Sequence, residues 1–363
     1  MTILLFIGIL LLLIVGHELG HFLVAKKSGM RVDEFGVGFP PKIFGKKIGE
    51  TEYTVNWLPF GGFVKIFGED SSEKKDPRAF ASRPALHQAA VLFAGPFANI
   101  VIAFVLSSVA FMVGTPALID SEVNKEHARD VSVVVVQVSP ESPAAEAGLM
   151  SGDRIVAVGE KDNVTSITDP QTVTEHISAA LDSAVVFTIR RSGEEQMVSV
   201  IPQQGVIDGE PERYGVGIAT AQVGTVSYPL HEALWQGIVD TARDFVFVLV
   251  SLVGLIAGAI TFSADVSNLA GPVGIASLTG DAAAFGFGSL LSFAALLSVN
   301  LAIINLLPFP ALDGGRLVFV AIESITRRPV PNKISQIVNT IGFLILILLM
   351  VAVTVGDISR LIG

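Results

Sequence analysis

The segment Met1 to Ala25 narrows the folds open to this chain more than any other feature. It is apolar throughout except for His17, Glu18 and His21. A run of that length matches the roughly 20 residues an α-helix needs to cross a hydrocarbon layer of about 30 Å. It lacks the basic start and small-residue cleavage site of a secretory signal peptide, so it reads as a retained spanning helix. Further apolar stretches lie at about Ala89 to Val113, Phe245 to Phe262, Leu290 to Phe309 and Ile341 to Val355. Only 16% of the residues are charged, against roughly 25% in a soluble protein. The lipid bilayer is therefore the first partner, and no nucleic-acid partner is expected. The net charge of −10 is unevenly spread and says little more.

Lys26, Lys27, Arg31, Lys42, Lys46, Lys47, Lys65, Lys74, Lys75, Arg78 and Arg83 crowd the segment after the first apolar run. By the positive-inside rule that segment is cytoplasmic and the amino terminus lies outside. Within it, Phe35 to Phe39 and Tyr53 to Lys65 mix β-branched and aromatic residues with glycines, which predicts short strands or a hairpin near the membrane face. A soluble pattern runs from Val131 to about Pro202: strands at 131–138, 151–158, 185–191 and 196–201, the last two flanking Ser192-Gly193, and helices near 143–149 and 170–181. The order of elements and the stretch Ser142 to Asp153 resemble a bacterial PDZ domain, a module that holds peptides by strand addition.

Helix parity shapes the rest. If Phe245 to Phe262 crossed fully, the next span would run outward and leave Asp313 on the side opposite His17 and His21. The segment is therefore expected to lie along the membrane or re-enter it. The predicted fold is a polytopic α-helical membrane protein of about four spans, with a membrane-associated β-hairpin, an interfacial or re-entrant helix and an inserted α+β PDZ-like domain. Its parts are an N-terminal membrane half at 1–115, the PDZ-like domain at 130–220 and a C-terminal membrane half at 230–363.

His17-Glu-Leu-Gly-His21 is an H-E-x-x-H pattern. On a helix, positions i and i+4 lie one above the other, so both imidazoles can bind one zinc ion while Glu18 leans toward the metal's open position. Ionisable groups in a span are costly and are functional candidates. The bland alternative is a pair of buried histidines hydrogen-bonded within the bundle. The chain has no cysteine, so a metal must use His, Asp or Glu. A hydrolytic zinc takes three protein ligands plus water, and Asp313 is the candidate third. It sits in Asn305-Leu-Leu-Pro-Phe-Pro-Ala-Leu-Asp-Gly-Gly315, where proline and glycine break the helix. Taken alone, that stretch reads as a helix end capped by aspartate and glycine.

Together, His17-Glu-Leu-Gly-His21 and Asn305-x-x-Pro308-x-x-x-x-Asp313-Gly314 resemble the paired motifs of the site-2 protease family. Gly95-Pro-Phe-Ala-Asn99, the PDZ-like insert and Gly271-Pro-Val-Gly-Ile275 extend the likeness over nearly the whole chain. It is nearest the bacterial RseP-type branch, with space for one PDZ-like domain where some members have two. The resemblance implies Zn2+ held by His17, His21 and Asp313, Glu18 as general base, and Asn305 as a substrate contact. It also implies intramembrane cleavage of single-span membrane proteins, such as anti-sigma factors or remnant signal peptides. The setting it implies is a bacterial inner membrane, with the PDZ-like domain outside and the active site toward the cytoplasm. A helical substrate must be unwound before cleavage, and the glycine-rich strands around Phe35 to Phe39 and Gly61 to Lys65, with Gly61 and Gly62, are the expected receiving edge. The competing readings are a membrane-anchored zinc peptidase acting on soluble polypeptides and a non-catalytic membrane PDZ scaffold.

Overall fold

In chain order the computed structural model has α1 (Thr2–Lys27), β1 (Val32–Ile48), β2 (Thr51–Ile66), α2 (Ala85–Val113), β3 (Thr115–Leu118), β4 (Ala128–Val138), α3 (Pro143–Glu146), β5 (Arg154–Glu160) and β6 (Asn163–Ser166). There follow α4 (Pro170–Ala180), β7 (Val185–Arg191), β8 (Glu194–Val200), β9 (Gln203–Gln204), β10 (Tyr214–Gly215), β11 (Ile218–Val226), α5 (Leu230–Ile260), α6 (Pro272–Ala284), α7 (Phe287–Leu306), α8 (Asp313–Thr326) and α9 (Asn332–Ile362). The structure describes residues 1–69, 76–119, 126–160, 163–191, 193–206, 210, 212–261, 270–328 and 330–362. Lys74, Lys75, Ser192 and Phe262, used in the sequence reading, lie outside them. Two compact units form, one of Met1–Phe111 with Leu230–Gly363 and one of Met112–Pro229.

The first unit is built on long apolar helices. In α1, Leu4, Leu12 and Leu23 stay exposed, and a helix apolar all round is stable where lipid replaces water. It closes on Lys26 and Lys27, cations suited to the negative end of the helix dipole. Among the described residues five helices, α1, α2, α5, α7 and α9, are long and apolar enough to cross a membrane, where about four were expected.

The difference lies in α5. The segment expected from Phe245 is the later part of one uninterrupted helix of 31 residues that starts at Leu230. At 1.5 Å per residue such a helix is roughly 46 Å long. It packs on α2 and α7: Ser107 donates to the Asp240 carboxylate at 3.0 Å, and Val248 is buried with Ala103, Ala295, Val299 and Ile303. The parity requirement is met before α7, by the position of α6. Its Gly280 lies against Thr2 at the start of α1, so α7 sets out from that end and runs in the direction of α1. Asp357, near the end of α9, accepts from the backbone N–H groups of Gly271 and Gly274 at 3.1 and 2.8 Å and so holds the start of α6.

β1 and β2 form a hairpin whose strands each bend back. Residues 34–37 pair on one side with 52–55 and on the other with 62–65, while 42–48 pair with 51–56. The result is a four-stranded ribbon with residues 62–66 along one edge. Phe39, Ile43, Phe44, Trp57 and Leu58 are exposed on it.

In the second unit the strands follow the path β3-β11-β4-β5-β7-β8, with β6 on β5, every neighbour antiparallel. Val185, Phe187 and Ile189, alternating along β7, enter its core with Ile155 and Val158 of β5 and meet Val173 and Ile177 of α4. Buried Asp153 accepts two hydrogen bonds of 2.7 Å from the Arg191 guanidinium, and this pairing keeps Arg191 above its ordinary pKa. β11 pairs with β4 along its length but with β3 only over 223–226. The remaining edge borders a cavity of about 270 Å³ lined by Thr174, Ile177, Tyr214, Val216 and Gly217.

Candidate metal centre and active site

His17 and His21 stand one turn apart on α1, and their Nε2 atoms are 3.1 Å apart. Asp313, 296 residues after His17, brings Oδ2 to 3.0 Å from His17 Nε2 and 3.2 Å from His21 Nε2. Both imidazoles are buried. The three form the group of possible metal ligands found among the described residues. Donors about 2.0–2.1 Å from a tetrahedral zinc lie roughly 3.3 Å apart, close to this triangle. Two imidazoles and one carboxylate, with the fourth position left for water, are also a donor set suited to a hydrolytic zinc.

α2 supplies the wall behind the triangle. A Cβ on Gly95 would run into His21 Nε2 and stand 2.7 Å from His17 Nε2, so the helix can pass this close only with glycine there. One turn earlier, the Val91 carbonyl accepts a 2.7 Å hydrogen bond from His21 Nδ1–H. One turn later, the Asn99 amide lies 3.2 Å from His17 Nδ1.

Asp313 reaches the site because the chain turns sharply between α7 and α8. Pro308 and Pro310 cannot continue a helix, and Ala311 takes a φ of +71°, a conformation costly for a residue with a Cβ. Asp313 opens α8, where the positive helix end favours a carboxylate. Cβ atoms on Gly314 or Gly315 would strike the carbonyls of Leu306, Leu307 or Phe309, so two glycines are required for the turn to close.

Glu18 follows His17 on α1 and lines the same cavity of about 280 Å³. A Cβ on Gly62 would stand 3.3 Å from Glu18 Cγ. The edge of β2 thus borders the cavity at Phe63 and Val64. Gly61 has a φ of +139° and faces the Phe39 ring. Asn305 lines the cavity too, and its Nδ2 donates to the Leu301 carbonyl at 2.9 Å. The structure therefore brings together His17, Glu18, His21 and Asp313, places Gly62 beside them and Asn305 on the rim, and sets Gly61 against Phe39.

A family model described as Peptidase family M50 matches residues 5–349. The chain belongs to peptidase family M50. A Clostridium perfringens protein named as a zinc metalloprotease is 38% identical over 95% of each chain. The zinc metalloprotease RasP of Geobacillus kaustophilus is 32% identical over 99% of this chain and 98% of its own. With the family and full-length relatives of this kind, this M50 protein is a metalloendopeptidase. Among solved structures, the PDZ domain of an SdrC-like protein from Listeria monocytogenes matches 24% of this chain and 86% of its own, with 18% identity and a TM-score of 0.21.

Residue chemistry alone did not assign parts to Val91, Gly95, Asn99, Glu69 or Arg316. Gly95-Pro96 and Asn99 are a helix breaker and an amide inside an apolar run, and that is the signal they carry in the sequence. Glu69 and Arg316 carry none, because their 2.6 Å ion pair depends on tertiary structure. That pair lies between the active-site cavity and a second one of about 130 Å³, and both residues line both cavities.

Proposed function

We propose that this M50 metalloendopeptidase is a zinc-dependent intramembrane protease that cuts the spanning segments of single-span membrane proteins. The observation that carries this reading is the meeting of His17, His21 and Asp313 beside Glu18 and a free strand edge, within a unit of five apolar helices. Zinc is the metal that suits the donor set. When bound, it lowers the pKa of water toward about 7 and polarises a carbonyl. Glu18 then takes the proton of the attacking water and returns it to the leaving amide nitrogen. Glu18 and Val64 line the same cavity. Asn305 contacts the scissile backbone through whatever donor capacity its bond to Leu301 leaves.

The substrate enters as an added strand on the edge of β2 from Gly61 to Ile66, which frees its carbonyls from helical hydrogen bonds. The exposed apolar side chains of the hairpin, Phe39 and Trp57 among them, fit contact with lipid. The substrates are of the anti-sigma factor or remnant signal peptide type, in a bacterial inner membrane. The amino terminus and the sheet domain lie outside and the site faces the cytoplasm. α5 crosses inward and the chain returns outward before α7. The three parts are the membrane halves 1–115 and 230–363 and the PDZ-like domain 130–220, whose half-open β11 edge supports that reading.

The test is cleavage of a tagged single-span model substrate by purified, detergent-solubilised protein. Wild type is compared with Glu18→Gln, Asp313→Asn and a chelated sample. Cleavage within the span by wild type alone, restored by zinc, is the expected result. Cleavage of soluble polypeptides but not of spans would favour the anchored peptidase. A zinc-loaded wild type that leaves every substrate whole would favour the scaffold.

A further inference from the structure

His17 and His21 present Nε2 to the metal corner, and a neutral imidazole can do so only when its single proton sits on Nδ1. Each Nδ1–H is then a buried donor that needs an acceptor. His21 has one, the Val91 carbonyl. At His17 Nδ1 stands the amide of Asn99, whose side chain is fully buried. As placed, the amide nitrogen faces His17, and among the described residues Oδ1 has no hydrogen-bond partner. The two ends of an amide have nearly the same shape, and the hydrogen-bond network decides between them. Among the described residues nothing else holds Oδ1, while His17 Nδ1–H calls for an acceptor.

Val91, Gly95 and Asn99 recur every four residues and so share one face of α2. That face serves both histidines: a carbonyl for one, an amide for the other and a gap between them for the ring nitrogens. The backbone of Asn99 is fixed in turn, because its carbonyl accepts a 2.8 Å hydrogen bond from buried Ser298 on α7.

We propose that Asn99 is a positioning residue of the metal centre: its amide oxygen accepts from His17 Nδ1–H and thereby holds the tautomer that turns Nε2 to the metal. The inference rests on the reading of His17, His21 and Asp313 as ligands. It predicts that what matters at position 99 is an acceptor.

The experiment measures zinc affinity by competition with a chromophoric chelator on metal-free, full-length protein in detergent, for wild type, Asn99→Asp and Asn99→Leu. Metal-free thermal unfolding serves as a folding check. Loss of such an outer partner typically weakens metal binding by about 10–100-fold, and that loss is expected for Asn99→Leu. Asn99→Asp keeps an acceptor and is expected to stay within a few-fold of wild type. Wild-type affinity in Asn99→Leu overturns the proposal, and so does a loss in folded Asn99→Asp as large as in Asn99→Leu. If Asn99→Leu does not fold, the Asp variant alone decides, and a drop beyond about 10-fold counts against the proposal. A wild type that binds no zinc would instead refute the ligand reading on which it rests.

Discussion

Gly95 shows how a single position constrains the site. Its missing Cβ is the space in which the His17 and His21 nitrogens stand. Gly95→Ala must push α2 away or turn the rings, and either spoils the ligand triangle. We expect zinc affinity to fall by on the order of 10-fold or more, as when a supporting residue is lost, with cleavage falling alongside. Zinc per protein after dialysis against a weak chelator checks this, and retention at wild-type level would refute it. At this scale His17, Glu18 and His21 were legible because their chemistry and helical spacing lie within one turn. Asp313 was legible as the candidate third ligand, though a capped helix end explained the same residues. Gly95 was not, because its importance is a distance to another helix.

Among the elements, the β1–β2 hairpin carries the most consequence. Glycine and aromatic residues predicted strands, but not that residues 34–37 would serve two partners and leave 62–66 as an edge beside Glu18. A proline at position 62 removes an N–H from that edge and stiffens it. Gly62→Pro is expected to lower cleavage of a spanning substrate at least about 10-fold, one lost strand bond being worth roughly 1 kcal/mol and its distortion more. Zinc content should be unchanged, and undiminished cleavage would remove the strand-addition reading. α9 offers a separate case. Buried Asp357 satisfies two N–H groups at the start of α6, a capping role that typically contributes about 1 kcal/mol or more. Asp357→Ala is expected to lower the thermal unfolding temperature in detergent, while Asp357→Asn, which keeps an acceptor, should lose less. Equal effects of the two would show that capping is not its role.

For the whole molecule, the arrangement in the membrane can be tested directly because the chain contains no cysteine. Single cysteines at Lys47, in the basic hairpin, and at Ser151, in the sheet domain, should react with a membrane-impermeant maleimide from opposite sides. Intact cells should label only Ser151→Cys, and opened cells both. Labelling of both in intact cells would overturn the proposed orientation.

Apolar length, charge placement and the H-E-x-x-H spacing, all readable along the chain, determined that this is a membrane protein with a candidate metal-binding pair in its first apolar helix. They could do so because a helix in lipid satisfies its backbone within its own segment, so its formation is a local matter. Tertiary structure alone decided that α5 begins at Leu230, that α6 lies against the start of α1, and that Asp313 meets His17 across 296 residues. It also decided that one face of α2 backs the site. These are contacts between distant segments, set by close packing and by buried polar groups that must find partners, and no local pattern encodes them.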